Sequence, residues 1–273
     1  MIDDKNDMDE RSREFLKDRF GTTKNLELLD RLSPFGTNPE SWPLWVLRHL
    51  PLKPHDAILE VGCGTGRFWA EVSPHLPVGV RICLTDVSPA MVFAARKTMA
   101  GEHDPDFLVD DVESLCFKGV CFDAVFANHV LHAVPNISAA FAEISRVLKP
   151  GGIMIFSVMS NEHMRELGVA LAELHPKFVY PTSGVRRLSL ECDKPELSAR
   201  FHTVRVNTHV DVLEVSDKDL IVDTALSIFN GIKYPDLSPY AGDFKKLVLS
   251  RMQKNDGIFH LTTKNGLYTC RRI

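Results

Sequence analysis

Three glycines, Gly62, Gly64 and Gly66, stand at alternate positions directly after a strand-forming run in the stretch ILEVGCGTGRFW, Ile58 to Trp69. Glycine removes the side chains that would hold a ligand away, and amides exposed where a helix begins favour a negative group. The pattern reads as a cradle for a small molecule, with a bare glycine-rich turn as the alternative. A carboxylate follows at Asp86, the end of the run VRICLTD. At the carboxyl end of the next strand an acid can accept hydrogen bonds from both hydroxyls of a ribose. It can also cap the helix that follows, although Ser88 is available for that. In the dinucleotide fingerprint G-x-G-x-x-G the third glycine would fall at position 67, which is Arg67 here. The nicotinamide reading loses ground on that spacing.

The elements that must position these residues alternate. Strand-like runs at about 57–61, 80–85, 105–109, 122–127 and 152–158 are separated by helical patterns near 66–74, 88–100 and 137–148. That order is expected of a parallel sheet covered by helices on both faces. Lys149–Gly152, KPGG, stops the last of these helices and turns the chain back. After Met159 the rhythm breaks. Residues 160–200 read as helix and irregular chain, FHTVRVNTHVDVLEV as a strand, and 217–254 as helix again. Asn265-Gly266 predicts a tight turn between two final strand-like segments. The expected fold is α/β: a doubly wound, mostly parallel seven-stranded sheet with antiparallel C-terminal structure. We read one domain over 1–273, with a helical lid (1–55), a core (56–159), a helical cap (160–200 and 217–254) and C-terminal strands (201–216 and 257–273).

With 44% hydrophobic and 25% charged residues, the composition is that of an ordinary globular protein. A formal net charge of -4 gives no long-range attraction to phosphate backbones or anionic lipid, so neither nucleic acid nor membrane is the expected partner. The opening MIDDKNDMDE has neither a signal-peptide nor a transit-peptide pattern, and a cytoplasmic location is the expectation. Six scattered cysteines read as reduced packing thiols. Cys116 and Cys121 are near neighbours without histidine alongside, so no metal site is expected.

LEVGCGTG, LTDVSPAM, DDVESLCF, FDAVFANHVLHAV and ISRVLKPGG occur in the order and spacing of class I S-adenosylmethionine-dependent methyltransferases, which the chain resembles over about 56–158. GTNPESWPLWV, NEHMREL and GLYTCRR resemble, less specifically, a bacterial branch of that family acting on small molecules. The resemblance implies S-adenosyl-L-methionine as cofactor. Glu60 and the backbone of Gly62, Cys63, Gly64 and Gly66 would hold its amino-acid end, and Asp86 its ribose. Val87 and Met91 would lie against the adenine, with Asp111 and the Val112 amide at its edge and Asp110 as the rival acid. The backbone near Asn128 and His129 would take the cofactor's ammonium.

Methyl transfer from a sulfonium is an in-line displacement that needs no covalent enzyme intermediate. Orientation of the two partners can contribute roughly 7–11 kcal/mol. A base matters only if the acceptor enters protonated; the candidates are His129, His132, His163, Tyr180 and His202, with His129 and His163 preferred. Phe35, Trp42, Trp45 and Tyr180 are candidate walls of the acceptor pocket, and core packing is the alternative for the aromatic residues of the lid. The expected function is methyl transfer to a small-molecule acceptor. A regulatory or non-catalytic S-adenosylmethionine-binding protein is the alternative, and an NAD-dependent oxidoreductase a more distant one.

Overall fold

The structure, a computed structural model, describes residues 20–101, 103–179, 188–192, 194–231 and 234–273. The chain forms two compact units, one of residues 40–159, 188–208 and 266–273, the other of residues up to 39, 160–187 and 209–265. The first is called the core unit below and the second the helical unit.

A seven-stranded sheet carries the fold in the order β3-β2-β1-β4-β5-β7-β6. The strands are β1 (Ala57–Val61), β2 (Arg81–Asp86), β3 (Asp106–Val109), β4 (Phe122–Ala127), β5 (Leu148–Met159), β6 (Phe201–Val215) and β7 (Phe259–Arg272). β1 pairs in parallel with β2 and with β4, and the same sense continues to β3 and β5. The sheet is mostly parallel, with antiparallel C-terminal strands, as the alternating pattern predicts.

β1 is buried along its whole length because its side chains serve opposite faces in turn. Ala57, Leu59 and Val61 join one apolar cluster with Ala140, Phe141, Ile144 and Val147 of the helix Ile137–Val147. Ile58 joins another, with Trp45 and Val46 of the helix Trp42–His49 and Phe68, Trp69 and Val72 of the helix Arg67–Val72. A helix over Pro89–Thr98 adds Ala95 to that second cluster, starting where Ser88 accepts a hydrogen bond from the Met91 amide with Pro89 in the first turn. The chain leaves β1 toward β2 on one side and later resumes at β4 on the other. The order therefore reverses between β1 and β4, and in such sheets ligands bind beyond the carboxyl ends of the strands at that point.

The helical unit has its own apolar cluster. Leu167 and Leu171 from the helix Arg165–Leu174, Leu220, Ile221 and Ala225 from Lys218–Ile228, and Phe244 and Val248 from Ala241–Gln253 are its main helical members. Asp217 caps the second of these helices, accepting from the Asp219 and Leu220 amides.

One expectation is corrected. Asn265-Gly266 makes no turn: both residues lie inside the continuous strand β7. Gly266 answers a different need, since a Cβ there would stand 2.4 Å from Leu190 Cδ1. The missing side chain admits a neighbouring segment and does not provide a positive φ.

Candidate active site

The loop after β1 is built by its glycines in two distinct ways. Gly62 has φ +72°, and a Cβ there would stand 2.4 Å from Val130 Cγ2, so the loop after β4 leaves no room for a side chain. Gly66, at φ +73°, opens the helix Arg67–Val72, and its hypothetical Cβ would meet Ala95 Cα and Cβ at 3.1 Å. Left-handed backbone costs an L-residue about 1–2 kcal/mol, and here close approach adds to it. That helix has six residues, too few for its dipole to weigh much, and the loop is held by its own amides: Cys63 donates to the Thr85 carbonyl, Gly64 to Asp86 and Gly66 to the Cys63 carbonyl.

Asp86 ties this loop to the next helix. Its Oδ2 accepts from the Gly64 amide at 3.0 Å and its Oδ1 from the Ser88 amide at 2.9 Å. A carboxylate oxygen can accept more than one hydrogen bond, so both keep capacity for hydroxyl groups. Burial pushes the Asp86 carboxyl up, and the two amides oppose the shift.

Glu60 is buried under the loop, with the Trp69 indole N–H donating to its Oε2 at 2.5 Å. Burial holds its carboxyl well above the ordinary range; the Trp69 hydrogen bond opposes this and the nearby Asp86 charge reinforces it. A buried acid of this kind is made anionic by an arriving cation. Cys63 lies between these acids, and burial raises its thiol so far that it is a packing group and no nucleophile.

Toward the β3 side, Met91 is fully buried on its helix while Val87 is exposed. The two neighbouring aspartates are used differently. Asp110 accepts from the Asp111 and Cys116 amides and so shapes the turn. Asp111 is exposed and accepts from the Glu113 amide through Oδ1.

After β4, Asn128 and His129 sit under the N-terminal aromatic residues of the core unit. Ser157 of β5, fully buried, accepts from the His129 amide at 2.8 Å and donates to Asn128 Oδ1 at 2.7 Å. The Trp42 indole N–H donates to the same Oδ1 at 3.3 Å. The Trp42 ring lies 5.1 Å from the His129 imidazole and stacks on Trp45 at 5.4 Å. His129 has φ +51°, a left-handed residue held by its surroundings.

The core unit thus brings together Glu60, the Gly62–Gly66 loop, Asp86 and the Asn128–His129 segment with Trp42. Trp45 is a member of the apolar core. Phe35 and His163 belong to the helical unit, where Phe35 packs against the apolar cluster and buried His163 accepts from the Lys264 amide through Nδ1 at 3.3 Å. Tyr180 lies outside the described residues. Val130 and Ser157 were not singled out by sequence, and Trp69, read there as a core residue, is one. A lone serine between Phe156 and Val158 in an apolar strand is its own faint signal, since a buried hydroxyl must find a partner. Among the described residues, no cluster of three potential metal ligands occurs and no helix is long and apolar enough to cross a membrane.

A glycine loop packed on the strand after it, acids at the ends of β1 and β2, and a switch point between β1 and β4 define one class of protein. Residues 59–156 match the family model described as "Methyltransferase domain", in agreement with the resemblance of the five motifs to class I S-adenosylmethionine-dependent methyltransferases. The chain is 31% identical over 140 residues to the malonyl-[acyl-carrier protein] O-methyltransferase of Serratia marcescens, an overlap of 49% of this chain and 51% of that protein. It is 33% identical over 129 residues to malonyl-[acyl-carrier protein] O-methyltransferase 1 of Ilyobacter polytropus, 47% of each. The chain spans about half the length of these curated relatives. Among solved structures, phosphoethanolamine N-methyltransferase 2 of Haemonchus contortus aligns with a TM-score of 0.55 at 17% identity, over 95% of this chain and 59% of that one. The [4+2]-cyclase SpnF aligns at 0.52 and 21% identity, over 84% and 78%. At such identities the likeness is one of fold. A cyclase on the same fold means that the chemistry has to be argued from the site.

Proposed function

We propose that this protein transfers a methyl group from S-adenosylmethionine to an oxygen of a small-molecule acceptor by in-line displacement. The observation that supports this reading best is the pair of acids around the glycine loop: Asp86 bound to the Gly64 amide, and Glu60 buried behind it with a raised pKa. An acid at the end of β2 suits the ribose of a dinucleotide as well as that of S-adenosylmethionine; what favours the latter is Glu60, whose carboxyl an arriving ammonium would draw into its anionic form, together with Arg67 where the dinucleotide fingerprint has its third glycine.

In this reading Glu60 and the Gly62–Gly66 backbone, Cys63 included, hold the amino-acid end and Asp86 holds the ribose. Val87, Met91, Asp111 and the Val112 amide border the adenine, and the Asn128–His129 backbone receives the ammonium. The cofactor supplies an electrophilic methyl on a sulfonium. The chain supplies orientation and a dry floor, with Trp42 over His129 as the near wall on the acceptor side. The relatives named above are O-methyltransferases of a malonyl group on acyl-carrier protein. A carboxylate acceptor is ionised at neutral pH and needs no base; for an acceptor that enters protonated, His129 is the base candidate in this unit.

Calorimetry with S-adenosylhomocysteine and with NAD tests the cofactor, and labelled methyl transfer to malonyl thioesters and free carboxylic acids tests the acceptor. Asp86→Ala is expected to weaken S-adenosylhomocysteine by about tenfold or more, the loss of a hydrogen bond to a charged group. Unchanged affinity, or preference for NAD, refutes the assignment. Cofactor binding without turnover of any acceptor would mark a regulatory protein.

A further inference from the structure

We propose that Ser157 is a positioning residue of the cofactor site, which aims the Asn128 carbonyl at the cofactor's ammonium. The inference rests on the methyltransferase reading above and concerns one peptide plane. The His129 N–H and the Asn128 C=O belong to the same peptide group, and in a trans peptide they point in opposite directions. The structure ties that N–H to Ser157 Oγ, 2.8 Å away in the floor of the sheet. The carbonyl of the same peptide is therefore turned away from Ser157 and β5; the other neighbour of β4 is β1, the strand from which the glycine loop springs.

The hydrogen bonds around Ser157 leave no ambiguity of direction. A backbone amide can only donate, so Ser157 Oγ accepts from His129 and spends its single proton on Asn128 Oδ1 at 2.7 Å. The Trp42 N–H fills the second acceptor position of that oxygen at 3.3 Å. The serine is wholly buried on β5 between Phe156 and Val158, so water is no substitute for it, and without it the His129 N–H becomes an orphaned buried donor. The conformation it holds is also one the backbone avoids: His129 sits at φ +51°, which a non-glycine residue keeps only when its surroundings impose it. One hydroxyl therefore fixes the plane of the peptide, the rotamer of Asn128 and, through Asn128, the indole of Trp42.

A serine that merely stabilised the fold would affect every ligand alike, whereas one that aims a carbonyl affects only ligands carrying the ammonium. The test compares S-adenosylhomocysteine with its deamino analogue, which keeps the nucleoside and the carboxylate, on wild-type protein and on Ser157→Ala. Wild type should prefer S-adenosylhomocysteine. The variant should lose about tenfold in affinity for it, the size of one hydrogen bond to a charged group, and keep its affinity for the analogue. Ser157→Cys, of nearly the same volume but a poor acceptor, should show the same selective loss and serves if the alanine variant does not fold. Equal losses for both ligands, no loss, or a wild type that does not discriminate between them would each overturn the role of Ser157. A wild type that binds neither ligand would instead overturn the cofactor reading on which the role rests.

Discussion

Gly66→Ala measures how far the cradle depends on close approach, and Gly151→Ala supplies the reference. Both glycines have nearly the same left-handed backbone, φ +73° and +74°, so the conformational penalty, about 1–2 kcal/mol, is common to the two. Their surroundings differ. A Cβ at Gly151 meets nothing within 4 Å, whereas at Gly66 it meets Ala95 Cα and Cβ at 3.1 Å, atoms of a buried helix that can yield only by moving backbone. Overpacking of that kind costs about 1–3 kcal/mol. The expected losses are therefore about 1–2 kcal/mol at Gly151 and about 2–5 kcal/mol at Gly66, or a fall in Tm of roughly 2–4 °C against roughly 4–10 °C for a chain of this size. Thermal melts followed by circular dichroism read the difference. S-adenosylhomocysteine affinity gives a second readout, falling for Gly66→Ala and unchanged for Gly151→Ala. Equal shifts in Tm would refute the reasoning, because crowding would then contribute nothing and the glycine would be present for its φ alone.

Two further predictions use other parts of the core unit. Burial raises the Glu60 carboxyl in the folded state, so its contribution to stability is fully present below the ordinary glutamate value, about 4.3, and is lost as pH rises through the raised folded value. Glu60→Gln does not titrate and keeps an acceptor for Trp69, so it should gain on wild type steadily from about pH 4 upward; a stability difference independent of pH would sink this. Arg146 binds Glu143 through Nε and Nη2 and donates to the Leu115 and Phe117 carbonyls, while Glu143 accepts from the Leu115 amide. Lysine cannot reproduce that planar fork. Arg146→Lys should cost about 1–3 kcal/mol in urea unfolding, and a neutral result would show that the 111–117 segment is held by other contacts.

The parallel part of the sheet was legible because its signals are local and repeated: apolar runs of strand length, glycine after β1, proline and glycine after the helix Ile137–Val147. Asn265-Gly266 misled because the same dipeptide serves two needs. A tight turn requires positive φ, while β7 requires only that nothing protrude toward Leu190, and one chain read along its length does not show what lies across from it. The hydrogen bonds of Trp69 to Glu60 and of Ser157 to His129 were illegible for the same reason. Each joins segments whose separation in sequence, 9 and 28 positions, carries no period. Asp111 against Asp110 shows the intermediate case: the order of the motif favoured Asp111, while the amides that each accepts, one at Asp111 and two at Asp110, follow from the turn itself.

In the sheet β7 lies between β5 and β6 although it follows β6 in sequence. During synthesis β6 is therefore made before the strand that will become its ladder neighbour, and β1 to β5 can assemble while it waits. Insertion of β7 closes a loop of about a hundred residues back to β5, a long-range pairing of the kind that slows folding. Refolding should accordingly show an early phase reported by Trp69, packed among strands β1 and β4, and a later one reported by Tyr268, stacked on Phe156 across β7 and β5.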